Sequence, residues 1–136
     1  MFEVEVNYWA VLAAGVAAMV LGYIWYLPSL AGGPWMRAIG KTEADLKADF
    51  KPSIMFVTFV LALITAYILD HFIVLLGAST VGEALQTALW AWLGFVATVT
   101  AMNLLYERRT FTLFWVNGFY QLANFLVMAA ILFHWR

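Results

Sequence analysis

Four stretches of this chain stay apolar for about twenty residues or more with no ionisable side chain near the middle of any of them. A helix rises 1.5 Å per residue, so about 20 apolar residues cross the roughly 30 Å of bilayer hydrocarbon. The qualifying segments run from about Tyr8 to Leu27, Ser53 to Leu76, Val81 to Tyr106 and Phe111 to Trp135. Hydrocarbon offers backbone N–H and C=O groups no partner, so segments of this length span it as helices. Composition closes the alternatives: 65% hydrophobic against 11% charged residues, with mean hydropathy +0.88, is not a surface a soluble domain presents to water. The expected fold is all-α, an integral membrane four-helix bundle. It forms one membrane domain over residues 1–136, with a short interfacial amphipathic helix in the 34–51 segment between spans one and two.

Charge placement predicts an orientation. Six of the seven Lys and Arg residues sit in two connectors, Arg37, Lys41, Lys47 and Lys51 in one and Arg108 and Arg109 in the other. Cytoplasmic connectors retain such cations, so both face the cytoplasm, and both termini and the Gly77–Thr80 connector face outward. Glu3, Glu5, Asp70 and Glu83 fall mostly on that outer side, and Arg136 alone offends. Leu30-Ala31-Gly32-Gly33 after an apolar run suggests a signal-peptide cleavage site. The preceding segment is acidic and the apolar run is longer than a signal core, so the first span is expected to be retained. Cysteine is absent, which removes disulfides and thiolate sites from consideration.

In the 34–51 segment, Pro34 suits the first turn of one short helix and Gly40 its end, while Thr42-Glu43-Ala44-Asp45 opens a second as a capping box. Leu46 and Phe50 share an apolar face. Glu43, Lys47 and Lys51 form a solvated stripe whose near-cancelling charges favour orientation over phosphate-lipid binding. Thr80-Val81-Gly82-Glu83 is a second capping box, with Glu83 expected to reach back to the cap. Trp and Tyr gather at span ends, at headgroup level, whereas Trp90 and Trp92 lie well inside span three and imply packing.

Ala10, Ala14, Ala18 and Gly22 repeat every four residues along span one, a ridge of small residues that lets another helix approach closely, in this chain or in a second copy. Polar residues within spans tend to face the bundle interior. Thr100, Asn103 and Glu107 share one face of span three, and Asn117, Gln121 and Asn124 one face of span four. Thr100 and Asn117 each lie about 12 Å from the Arg108–Thr110 turn, so the stripes are expected to meet as a neutral seam, anchored at its mouth by Glu107 with Arg108 or Arg109. The seam is either interhelical glue or a polar cleft. Thr58 and Thr65 extend it or bond back to their own helix. His71 and His134 are expected near the outer face as interfacial residues rather than haem ligands, with Asp70 capping or orienting at the surface.

No phosphate loop, metalloprotease helix or nucleophile elbow is present, so no enzyme activity and no cofactor are expected. A net charge of -1 argues against nucleic acid. Asn7-Tyr8-Trp9-Ala10, Gly22-Tyr23-Ile24-Trp25-Tyr26 and Trp35-Met36 after Gly33-Pro34, together with Glu107-Arg108-Arg109 and Trp115-Val116-Asn117-Gly118-Phe119-Tyr120, resemble a bacterial family catalogued as domain of unknown function 1761. The resemblance covers almost the whole chain. It implies four spans in a bacterial inner membrane and carries over no catalytic residue. The expected partners are the lipid bilayer and a second copy of the chain. The expected function is a structural or accessory, self-associating bundle, and the competing reading is an oligomeric small-solute transporter or channel using the seam.

Overall fold

A computed structural model describes residues 3–136 as helices joined by short turns. The four long ones are α1 (Tyr8–Trp25), α4 (Pro52–Leu75), α5 (Val81–Tyr106) and α6 (Phe111–His134), each long and apolar enough to cross a membrane. Between α1 and α4 lie α2 (Gly32–Ile39) and α3 (Glu43–Ala48). These spans agree with the sequence reading to within two residues at each end.

Local chemistry explains the boundaries. Asn7 caps α1, its Oδ1 accepting from the N–H groups of Trp9 (3.0 Å) and Ala10 (3.3 Å). Gly32 opens α2 where the chain folds back so closely that a Cβ would sit on the Tyr26 carbonyl oxygen. Gly40 ends α2 in the left-handed conformation, φ 71°. Thr42 and Asp45 form the expected reciprocal box at α3: the Asp45 N–H donates to Thr42 Oγ1 (3.1 Å) and the Thr42 N–H to Asp45 Oδ2 (2.9 Å). At α5 the box is displaced. The Glu83 N–H donates to Thr80 Oγ1 (3.2 Å), but the Glu83 carboxylate accepts from the N–H and hydroxyl of Ser79 (2.6 and 3.0 Å), one residue beyond the expected partner.

The α5–α6 turn closes with the N–H of Arg109 on the Leu104 carbonyl (2.9 Å) and that of Arg108 on the Leu105 carbonyl (3.3 Å), the Schellman pattern. Arg108 takes the left-handed position, φ 56°, where glycine is the usual occupant. The sharp turn leaves Glu107 exposed, and it pairs with neither arginine: among the described residues the ion pairs are Lys47–Glu43 and Arg136–Asp70.

Helix α6 touches all three other spans, and α1 packs against both α4 and α6. The small ridge of α1 is used inside the chain: Ala10, Ala14 and Ala18 are buried, and a Cβ on Gly22 would meet the Tyr120 hydroxyl at 3.0 Å. Gly15, on a neighbouring face, gives way to Leu63 and Phe59 of α4. The core formed by these residues with Leu69, Ile73, Ala84, Ala88, Met128 and Leu132 lies at the end of the bundle that carries both chain termini. At the opposite end, no residue from Pro52 to Thr58 is covered and none from Thr98 to Tyr106 is buried. Thr58 and Thr65 donate to carbonyls of their own helix, Ile54 (2.7 Å) and Leu61 (3.0 Å).

Candidate functional site

Two polar constellations stand out, one near each end of the bundle. The first surrounds five residues of α6, Phe114–Gly118, where the backbone widens to a π turn. Such a turn replaces i→i+4 bonding by i→i+5 spacing and recurs at functional positions. The indole N–H of Trp25 donates to the Val116 carbonyl (2.9 Å) and that of Trp92 to the Gly118 carbonyl (2.8 Å). The Tyr26 hydroxyl donates to Asn117 Oδ1 (2.6 Å), and the Tyr120 hydroxyl to the Ala18 carbonyl (3.1 Å). The Tyr26 ring meets Trp35 of α2 edge-on at 5.5 Å and Tyr120 at 5.3 Å. Side chains from the end of α1 and from α5 therefore converge on one irregular turn of α6, with Trp35 of α2 packed against Tyr26.

The residues expected in the seam are distributed otherwise. Asn117 faces Tyr26 rather than α5. Asn124, 5% exposed, donates to Gln121 Oε1 at 3.5 Å, the limit of a hydrogen bond, and its own Oδ1 has no partner. Thr100 is half-buried, Asn103 and Glu107 are exposed, and none of the three makes a side-chain hydrogen bond among the described residues, so no such bond bridges the stripes. A 3.6-residue period carried through the π turn misassigns the face of Asn117. A second π turn, Leu93–Ala97, precedes Thr100 and leaves the shared face of Thr100, Asn103 and Glu107 unchanged. Trp92 is buried as expected for packing, but Trp90 is 62% exposed on the outer wall of α5.

The second constellation is absent from the sequence reading. Asp70, expected at the surface, is 2% exposed. Its carboxylate accepts from Nη1 of Arg136, whose Nη2 donates to the Glu5 carbonyl (3.3 Å). Alongside, Asn7 Nδ2 donates to the Trp135 carbonyl (2.5 Å). The segment before α1, the C-terminal end of α4 and the residues after α6 are thus clasped together, around a cavity of about 320 Å³ that Ala10 and Leu132 also line. Arg136, the cation that offended the charge rule, is the partner that lets Asp70 be buried. The signal available in the sequence was that pairing of an in-span acid with an out-of-place base. His71 donates from Nδ1 to the Tyr67 carbonyl of its own helix (2.8 Å), and His134 is exposed beside Phe133. No group of three or more His, Asp or Glu side chains suited to a metal occurs among the described residues.

A family described as "Protein of unknown function (DUF1761)" matches the chain over residues 9–133, across all four spans. The chain belongs to the DUF1761 family. No similar protein was found among curated proteins or among solved structures. The matched region of this DUF1761 protein contains the whole π-turn constellation and Asp70, while Glu5, Asn7 and Arg136 lie outside it. The aromatic and Asn positions that carried the resemblance acquire a physical role here: Trp25 and Tyr26 bond to the π turn of α6 at Val116 and Asn117, and Trp35 and Tyr120 pack against the Tyr26 ring.

Proposed function

We propose that this DUF1761 protein is a non-catalytic accessory bundle of the bacterial inner membrane, built to hold its spans in a fixed arrangement and to associate with a second copy or a larger membrane complex. The observation that carries this reading is that Trp25, Tyr26, Trp92 and Tyr120 each donate a hydrogen bond to another element of the same chain, Asn117 being the acceptor for Tyr26. Polar groups committed in this way act as interhelical glue, each contributing about 0.6 kcal/mol and at most roughly 1.7. The exposed aromatic wall of α5, Trp90 and Phe95, supports an association surface. The basic connectors support a topology with both termini outside the cytoplasm. The cysteine-free chain permits a direct check of that topology: a single cysteine in the 41–51 connector is labelled only from the cytoplasmic face.

The functional test compares stability with flux in proteoliposomes. Asn117→Leu is expected to lower the thermal midpoint and to leave solute permeability at the level of protein-free vesicles, as for the unmodified protein. A reproducible flux through the unmodified protein, abolished by Gln121→Leu at unchanged stability, would replace this reading with the transporter.

A further inference from the structure

The clasp at the terminal end of the bundle is more than a tie. Asp70 lies five residues, about 7.5 Å, inside the end of α4. An acid at that depth is costly and is held where it has a partner and a use. Arg136 engages one carboxylate oxygen; the other accepts no hydrogen bond from any described residue. Asp70, Arg136 and Glu5 all line the same cavity of about 320 Å³. Two carboxylates against one guanidinium leave one negative charge in excess. A guanidinium carries five N–H donors, and Arg136 uses one on Asp70 and one on the Glu5 carbonyl. The cavity therefore offers an unspent Asp70 oxygen beside unspent guanidinium donors, with the exposed residue Glu5 in its lining. Its volume is at the small end of ligand sites, which run from about 300 to 1,000 Å³.

We propose that this cavity binds a primary ammonium joined to a phosphate, the chemistry of an ethanolamine phosphate, carried either by a phospholipid headgroup or by a soluble compound. The ammonium donates to the free oxygen of Asp70 and to Glu5, and a phosphate oxygen accepts from Arg136, both as charge-assisted hydrogen bonds. A choline group has no N–H to donate and loses the first half of this recognition. The site is independent of the accessory role, since it uses none of the side chains at the π turn.

The test uses the full chain in nanodiscs of phosphatidylcholine doped with phosphatidylethanolamine or its mono- and dimethylated forms, read by native mass spectrometry and thermal midpoint. Retention of the ethanolamine lipid over the choline lipid by roughly tenfold, falling with each methyl group, is expected from the loss of a charge-assisted bond. Soluble phosphoethanolamine added to pure phosphatidylcholine discs separates the sources: a rise in midpoint with it alone identifies a soluble ligand, and a rise only with the doped lipid identifies a headgroup. Asp70→Asn is expected to abolish the preference. Because that change also disturbs the clasp, Glu5→Gln, at an exposed position, serves as the second variant and is expected to reduce the preference with the fold intact. Equal retention of ethanolamine and choline lipids with no response to phosphoethanolamine overturns the proposal, as does a preference unaltered in Glu5→Gln.

Discussion

The Tyr26 hydroxyl joins the end of α1 to Asn117 of α6, while its ring seats against Trp35 of α2, so one side chain couples three elements. Tyr26→Phe keeps the ring contacts and removes only the hydroxyl. A fall in stability of about 0.6 to 1.7 kcal/mol is expected in detergent unfolding titrations, the range of single interhelical hydrogen bonds. Gly32→Ala is a harsher change. The new methyl meets the Tyr26 carbonyl, which is backbone and has nowhere to go, so a loss of about 1 to 3 kcal/mol is expected, the usual cost of overpacking. Arg108 gives the opposite sign. It occupies a left-handed position that costs a non-glycine residue about 1 to 2 kcal/mol, so Arg108→Gly is expected to raise the thermal midpoint, in part offset by the extra freedom glycine brings to the unfolded chain. At this scale residue types were legible from the sequence and partners were not. Asn117 was recognisable as an amide that must face protein, yet Tyr26 lies 91 positions away, and nothing local announces that pairing.

Each span was legible as an element because twenty apolar residues between turn-formers admit one conformation in lipid. The capping residues Asn7, Thr42 and Thr80 all hold the starts of helices. What the periodicity could not convey was the pair of π turns. Phe114–Gly118 has no proline and only its terminal glycine to mark it, and its widening is stabilised from outside by the indoles of Trp25 and Trp92. Helix α3 makes a separate prediction. The backbone N–H of Thr42, followed by its hydroxyl, holds the Asp45 carboxyl below the usual carboxylate range, with nearby Lys41 acting in the same direction. A carboxyl lowered by folding stabilises at any pH above its unfolded value, and that contribution disappears as pH falls through the lower folded value. The protection of α3 amides, taken relative to the intrinsic exchange rate at each pH, is therefore expected to stay flat from neutral pH into the ordinary aspartate range and to fall only below it.

Across the whole molecule, packing is unequal between the two ends. Alanines and leucines from all four spans close the terminal end, whereas the connector-side halves of α4 and α5 have little of the chain against them. Spin labels at Ile73 and Leu85, near the closed end, are expected to give a narrow distance distribution by pulsed electron resonance. Labels at Met55 and Met102, near the open end, are expected to give a broad one; equal widths would show that the bundle is uniformly rigid. The connector end also carries α2 and α3 in addition to the four spans. The alanine ridge of α1 thus fixes which end of the bundle is held: a motion of the spans against one another pivots at the terminal end and is largest at the connector end.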